Sequence, residues 1–306
     1  MRAFSRRRSV ELWKKQRTQA VAAPKSTPAP PPADGGADAA GTGPPPPPPP
    51  LALPPKATFG ALLGAAKMKA AMPLDTLFVL SVSAGALIGL GALLMNNVGG
   101  TSPALMAANP GACNFLKGAI GLPMGLFMVV MTGAELFTGN VMVMTGGALA
   151  KAVDAAAVAR SWCVSYAGNF VGSIMLALIA TAGQVPSAAI AKVAVAKCGV
   201  PFSAAVCKGI LCNWLVCLAV WGAMASGTVA GKALAIFLPI TGFVALGLEH
   251  CVANMFLLPA GMFAGADVTW GQIFANNLIP VTIGNTLGAA LFVAGINWFA
   301  YGREGA

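Results

Sequence analysis

A nine-residue motif occurs twice in the chain, and both copies lie inside long apolar stretches. The first copy runs from Gly133 to Val141, and the second, 114 residues later, runs from Gly247 to Met255. Both read Gly, any residue, Glu, three variable residues, a small residue, Asn and an apolar residue. A carboxylate at membrane depth is costly. Paired polar interruptions in the two halves of a chain therefore predict broken helices around a shared solute path.

Composition places the chain among membrane proteins, because 57% of its residues are hydrophobic and only 9% are charged. Its net charge of +10 is concentrated at the start: residues 1–70 contain 11 of the 19 Lys and Arg residues and three of the nine acids. The remainder is therefore nearly neutral. This distribution excludes a nucleic-acid-binding domain and indicates a targeting or membrane-surface segment.

The cysteines and the lone histidine predict neither a metal site nor a cofactor. The seven cysteines contain no Cys-x-x-Cys pair, and most of them fall in apolar helical stretches. We interpret them as buried free thiols that pack as small apolar residues. A metal site needs clustered Cys and His ligands, which this sequence lacks.

The chain divides into a tail, a short helix and a membrane domain. Residues 1–55 form a disordered, basic and Pro-rich tail with seven consecutive prolines at 44–50, a composition that predicts a transit peptide. A cytoplasmic tail that contacts anionic lipid is the alternative. Residues 56–72 predict an amphipathic helix at the membrane surface. The channel domain is expected at 73–302, followed by a short C-terminal tail at 303–306.

Six apolar segments predict an all-α membrane protein. They lie near residues 75–97, 114–149, 157–183, 203–226, 231–264 and 273–301. The second and fifth are too long for simple spans and carry the repeated motif, so each is expected to be a broken helix. A Gly-Asn-x-x-Gly sequence at 168–172 recurs at 284–288. Spans one to three therefore correspond to spans four to six. Because three is an odd number, the two halves enter the membrane from opposite sides, which predicts a 3+3 inverted repeat.

Polar residues of the two breaks are the candidates for function. Gly133 and Gly247 support the breaks. Asn140 and Asn254 are expected to cap the second half-helices. Glu135 and Glu249 are expected to accept backbone N–H groups of the unwound loops, a role that we favour over solute contact.

His250 is the only histidine of the chain, and its place in a duplicated break favours a functional role over a structural one. A neutral imidazole can hydrogen-bond an anion or hand it a proton. Thr138, its counterpart in the first break, either faces His250 across the pore or forms a local turn. Lys197 lies in a loop, where most lysines are merely solvated. Asn213, within the fourth span, either lines the pathway or ties helices together.

Four segments together resemble the formate/nitrite transporter family of small-anion channels: residues 133–140, 209–221, 247–256 and 277–285. The resemblance covers about residues 56–302. It implies an aquaporin-like protomer in a homopentamer embedded in the lipid bilayer, with one pore per protomer. It also implies that His250 is the central pore histidine, with Thr138 opposite, Lys197 in the vestibule and Asn213 as the polar residue of the fourth span.

The resemblance also implies two apolar constrictions that flank the histidine. The outer one would contain Leu122, Leu126 and Phe243, and the inner one Leu136, Phe137 and Val216. Leu122 stands where bacterial members often carry Phe, which implies a wider or softer outer constriction. The tail and the sequence of residues 133–140 resemble plastid-envelope members of green algae, which carry nitrite or bicarbonate. We therefore expect the chloroplast inner envelope, with the plasma membrane as the alternative.

The expected function is passage of small monovalent weak-acid anions: nitrite, bicarbonate or formate. A proton from water or through His250 would neutralise the anion at the constrictions. An aquaporin-type channel for neutral solutes is one alternative, but its Asn-Pro-Ala signature is replaced by Asn-Val-Met at 140–142 and Asn-Met-Phe at 254–256. A membrane-embedded redox or hydrolytic enzyme is the other. The sequence has neither a second histidine nor a nucleotide-binding loop to support that alternative, so we expect no enzyme activity.

Overall fold

The structure, a computed structural model, describes residues 51–303, and the predicted tail and transit peptide lie almost wholly outside this range. The described part of the chain is mostly helical. Its helices, in chain order, are α1 Pro55–Ala71, α2 Leu74–Gly100, α3 Pro103–Ala108, α4 Pro110–Ile120, α5 Leu122–Thr132, α6 Phe137–Leu149, α7 Ala155–Ala182, α8 Ala189–Cys198, α9 Phe202–Ala225, α10 Val229–Ala245, α11 Cys251–Phe263, α12 Trp270–Gln272, α13 Ile279–Ala289 and α14 Ile296–Tyr301.

Within residues 51–303, five helical stretches are long and apolar enough to cross a membrane. They are Leu74–Gly100, Pro110–Thr132, Ala155–Ala182, Phe202–Ala225 and Trp270–Tyr301. The shorter helices α10 and α11 are also apolar. The last stretch is not a uniform α-helix, because π-helical turns occupy Ile273–Leu278 and Ala290–Gly295. Nothing in the sequence predicts these turns.

Both motif copies lie at helix breaks. Helix α5 ends before Gly133, whose φ of 69° is left-handed, and α10 is followed by Gly247, whose φ is 64°. A residue with a Cβ is strained in this region, so glycine is the residue that turns the chain here. The chain then runs extended for a few residues before α6 begins at Phe137 and α11 at Cys251. The break therefore occupies the start of each motif.

Close helix contacts hold the long helices together in two matching pairs. Helix α2 packs along α7, and α9 packs along α13. A Cβ on Gly172 would overlap the carbonyl oxygen of Val82, and a Cβ on Gly288 would overlap that of Ile210. Glycines of the third and sixth spans therefore permit this close approach of the helices.

Helix α1 packs with one face against α6 and buries Phe59, Leu62 and Ala66. The segment before it is fixed to the end of α9. Leu53 N–H donates to Ala225 O at 2.8 Å, and Gly227 N–H donates to Leu51 O at 3.0 Å. These contacts place α1 beside the first helix break.

Candidate functional site

Two buried asparagines, one in α7 and one in α13, hold the two helix breaks. Asn169 Oδ1 accepts the N–H of Phe137 at 2.8 Å, and its Nδ2 donates to Ser81 O and Glu135 O at 2.8 and 3.0 Å. The bonds to Phe137 and Glu135 satisfy backbone groups of the break that would otherwise be buried without a partner, and the bond to Ser81 O holds the side chain against α2.

Asn285 makes the corresponding three bonds in the second half. Its Oδ1 accepts the N–H of Cys251 at 2.9 Å, and its Nδ2 donates to Gly209 O and Glu249 O, both at 2.9 Å. The same arrangement of donors and acceptors therefore occurs twice in the molecule.

A buried ion pair stands beside the first break. Lys69 Nζ of α1 lies 2.7 Å from both carboxylate oxygens of Glu135, and Asn140 Nδ2 donates to Glu135 Oε2 at 2.8 Å. The side chain of Glu135 is only 5% exposed, so the ammonium and amide donors replace the water that this charge would otherwise need.

The second break carries the equivalent ion pair. Lys197 Nζ of α8 lies 3.0 Å from both oxygens of Glu249. Asn254 Nδ2 donates to Glu249 Oε2 at 2.6 Å and to Asn277 Oδ1 at 2.7 Å. Asn277 Nδ2 in turn donates to Lys197 O at 3.1 Å, which fixes α8 against the last helical stretch.

Two expectations about these polar groups are wrong. Asn140 and Asn254 do not cap the half-helices; the residues at the N-cap positions are Leu136 and His250, four residues earlier. The asparagine amides instead bond the carboxylates of their own motif. The carboxylates accept from these side chains and from lysines rather than from loop N–H groups, because the two asparagines of α7 and α13 bond the backbone of the breaks.

His250 and Thr138 face each other, as the sequence suggested. Thr138 Oγ1 lies 3.1 Å from His250 Nε2, and His250 Nδ1 accepts the N–H of Ala253 at 3.1 Å. Because Nδ1 is occupied as an acceptor, the neutral imidazole carries its proton on Nε2, and this N–H donates to the threonine oxygen. The ring is thus both the N-cap of α11 and a proton-bearing donor.

Asn213 ties helices together. It is fully buried, and its Nδ2 donates to Thr138 O at 3.2 Å and to Asn285 O at 2.7 Å. Its Oδ1 accepts from the thiol of Cys217 at 3.5 Å. All polar atoms of this side chain are therefore bonded to protein, and it fixes the backbone of Thr138.

A small cavity lies beside the imidazole. This chamber has a volume of about 10 Å³, roughly what a single water requires. Apart from His250, all residues that line it are apolar: Ile88, Leu122, Leu126, Leu136, Val216, Ile240 and Phe243. Five of the six residues expected at the constrictions are thus brought together here.

The sixth, Phe137, points elsewhere. Its ring packs edge-on against Tyr166 with the centroids 5.1 Å apart, and it is not among the residues that line the chamber. Tyr166 in turn hydrogen-bonds Thr282 through its hydroxyl at 3.2 Å. Phe137 therefore packs between the half-helix and α7.

A second, much larger cavity adjoins the chamber. This vestibule has a volume of about 820 Å³ and reaches Leu122, Phe243 and His250, which line both spaces. The Phe243 ring stacks near the imidazole, with the ring centroids 6.0 Å apart. Lys197 and Glu249 also line the vestibule. The two apolar residues Leu122 and Phe243 therefore separate a wide space lined by charged as well as apolar residues from a narrow apolar one.

A family model described as formate/nitrite transporter matches residues 56–299. The chain belongs to the formate/nitrite transporter family. A probable formate transporter from Methanothermobacter thermautotrophicus is 41% identical over 271 residues, which is 82% of this chain and 97% of that protein. These findings identify an integral membrane protein of an anion-channel family.

Two solved structures share the fold of this family member. An FNT family ion channel superposes with a TM-score of 0.73 at 32% identity, covering 80% of this chain and 98% of that one. A pentameric formate channel with formate bound superposes with a TM-score of 0.66 at 30% identity, covering 75% and 98%. Among the described residues, no three His, Cys, Asp or Glu residues are grouped as a metal would require.

Sequence reasoning missed Lys69 and the two backbone-binding asparagines. Lys69 precedes Pro73 by four residues, just as Lys197 precedes Pro201, and each proline stands directly before a long helix. This shared spacing is the sequence feature that could have indicated that Lys69 is the counterpart of Lys197. Asn169 and Asn285 belong to the repeated Gly-Asn-x-x-Gly sequence, but their bonds to the breaks depend on how α7 and α13 fold back.

Proposed function

We propose that this family member is a channel for small monovalent weak-acid anions, with formate, nitrite and bicarbonate as candidate substrates. The observation that supports this most is the single imidazole between two cavities, one wide and lysine-lined and the other narrow and apolar. An anion that enters the narrow chamber loses its water, at a cost of several kcal/mol. A weak acid avoids that cost by accepting a proton, which chloride cannot do.

His250 acts in this proposal as a hydrogen-bond donor. Its Nδ1 lone pair is taken by the N–H of Ala253, so the ring has no free basic nitrogen with which to collect a proton. The proton of Nε2 is directed at Thr138 Oγ1, and a solute oxygen that replaces this acceptor would receive the same bond. The proton that neutralises the solute then comes from the bulk solution and reaches the anion as hydronium in the vestibule, which leaves neutral water behind.

The charged groups around the breaks assist entry. The N-terminus of α11 presents partial positive charge where the vestibule meets the chamber, and this lowers the free energy of an anion there. Lys197 lines the same vestibule and, because its charge is balanced by Glu249, contributes an ammonium hydrogen-bond donor rather than net charge. Leu122 and Phe243 form the outer constriction, and Leu136 and Val216 form the inner one. The apolar rings then disfavour the charged form.

The architecture that we propose is a six-span protomer built as a 3+3 inverted repeat and assembled as a homopentamer. The duplicated bonds of the two breaks and the match to a pentameric formate channel support it. The plastid envelope remains our proposed location, and its support is the composition of the N-terminal tail.

Anion flux into proteoliposomes tests the proposal. Formate, nitrite, bicarbonate and chloride are compared with and without an inward proton gradient. We expect flux of the weak acids to rise with the gradient and chloride flux to stay low. Chloride flux equal to formate flux would contradict the proposal, since it would indicate an ordinary anion pore.

Two variants test the residues. His250→Asn keeps an acceptor that can cap Ala253 N–H but removes the donor to Thr138, and we expect roughly a tenfold loss of proton-dependent flux. Thr138→Val is compared with Thr132→Val, the same change at an exposed position that bonds only its own helix. The first should impair flux and the second should not. Wild-type flux in His250→Asn would exclude the proposed donor role.

A further inference from the structure

The two helices that anchor the breaks are joined to each other through a pair of hydroxyl groups. Tyr166 of α7 and Thr282 of α13 share a hydrogen bond of 3.2 Å between their side-chain oxygens. Tyr166 precedes Asn169 by three residues, and Thr282 precedes Asn285 by three residues. The two hydroxyls therefore occupy matching positions of the proposed repeat, and their bond links one half of the chain to the other.

A bond between matching positions has a special place in such a repeat. The two-fold rotation that relates the halves exchanges Tyr166 with Thr282, so the axis passes between two residues that touch. Both residues are half-buried and lie within helical stretches apolar enough to cross a membrane, where a hydroxyl without a partner is costly. The bond is therefore favourable, and any change in its length moves the two halves relative to each other.

Each of these two residues also lies against the first residue of a half-helix. Phe137, which begins α6, packs its ring edge-on against Tyr166 with the centroids 5.1 Å apart. The Thr282 hydroxyl lies beside the thiol of Cys251, which begins α11. Phe137 and Cys251 in turn occupy matching positions of the nine-residue motif. A continuous chain of contacts thus runs from one half-helix to the other through the bonded hydroxyls.

The pore residues are the direct neighbours of this chain of contacts. Thr138 follows Phe137, His250 precedes Cys251, and the side chains of Thr138 and His250 are 3.1 Å apart. The separation of the starts of α6 and α11 therefore determines whether the imidazole N–H reaches the threonine oxygen. Asn213 is a second link at this depth, because its amide joins the backbone of Thr138 to that of α13.

We propose that Tyr166 and Thr282 are positioning residues, whose hydrogen bond fixes the separation of α6 and α11 and thereby keeps the chamber beside His250 narrow. This inference rests on the proposed function and names how the gap between the two halves is held. Without the bond the half-helices should separate slightly and widen a chamber of about 10 Å³. A hydrated chloride ion would gain more from this than a weak acid, because the acid already passes without its charge.

Isosteric variants of the full chain in lipid vesicles test the pair, with chloride and formate flux compared in the same preparation. Tyr166→Phe and Thr282→Val each remove one hydroxyl and keep the shape of the side chain. We expect each to raise the ratio of chloride to formate flux roughly threefold, the factor that corresponds to one average hydrogen bond between membrane helices. The ratio does not depend on the amount of folded protein, so a loss of stability alone leaves it unchanged.

Matched variants separate the bond from the residues that make it. Thr282→Ser keeps a hydroxyl and should keep the wild-type ratio. Because either single substitution already breaks the bond, the double variant of Tyr166→Phe and Thr282→Val should raise the ratio no further than the single ones. Tyr301→Phe changes the other tyrosine of the chain, at the end of α14, and should match wild type.

Three results would each overturn the positioning role: an unchanged ratio in Tyr166→Phe and Thr282→Val, effects that add in the double variant, or a raised ratio in Thr282→Ser. These results leave the weak-acid flux of the wild-type protein, and with it the proposed function, intact. A wild-type protein that passes chloride as fast as formate would overturn both.

Discussion

The three-bond anchoring of the first helix break leads to a quantitative prediction for Asn169→Ala. The substitution leaves Phe137 N–H and Glu135 O without their partner and removes a third bond to Ser81 O. Hydrogen bonds between membrane helices average about 0.6 kcal/mol, whereas a buried unsatisfied group costs about 1–3 kcal/mol. Three lost bonds with two orphaned groups therefore amount to about 3 kcal/mol.

Thermal unfolding of the purified protein in detergent measures this loss. For a domain of this size, 1 kcal/mol shifts the melting temperature by about 2–4 °C, so we expect a decrease of about 6–12 °C. Asn285→Ala removes the equivalent three bonds in the second half and should cost about the same.

The matched control is Asn297→Ala, which removes one bond from Nδ2 to Val293 O within the last helical stretch. It should lower the melting temperature by no more than about 2–4 °C. If Asn169→Ala melted like Asn297→Ala, the bonds of Asn169 would not hold the break, and the reasoning would be refuted. A large difference between Asn169→Ala and Asn285→Ala would refute the equivalence of the two breaks.

Two further predictions concern the constriction and the ion pair. Leu122→Ala and Phe243→Ala widen the boundary between vestibule and chamber, so a hydrated ion should pass and chloride flux should rise roughly tenfold. Leu116→Ala, on an exposed surface, is the control. Unchanged chloride flux in Leu122→Ala and Phe243→Ala would argue against a constriction at this boundary. Glu249→Gln leaves Lys197 without its buried partner and should destabilise the protein by about 3–5 kcal/mol, measured by thermal unfolding. Adding Lys197→Met to this variant should recover part of the lost stability. Additive losses in the double variant would show that the two residues are not coupled.

The sequence predicted the locations of the two helix breaks because their cause is local. Gly133 and Gly247 adopt left-handed backbone conformations, and a Gly-x-Glu motif in an apolar segment shows such a position without knowledge of the rest of the chain. The sequence also placed Thr138 and His250 in the two copies of the duplicated motif, and the resemblance to the family implied that they face each other.

The partners of the polar groups were less accessible, because they come from distant segments. Lys69 reaches Glu135 across 66 residues, and only its spacing to Pro73 separates this lysine from its exposed neighbour Lys67. The caps were misassigned for a related reason. Asparagine ranks high as an N-cap by propensity, but a buried carboxylate one turn away takes the amide of Asn140 instead.

The chamber is lined by pairs of residues at matching positions of the proposed repeat: Ile88 with Val216, Leu126 with Ile240, and Leu136 with His250. Two-fold symmetry between separate chains would force identical residues onto both members of each pair. Such a chamber would contain two imidazoles or none. Two would bring a pair of N–H donors into a space for roughly one water, and none would leave a dry apolar plug. A single donor in an otherwise apolar chamber is possible only because both halves belong to one chain.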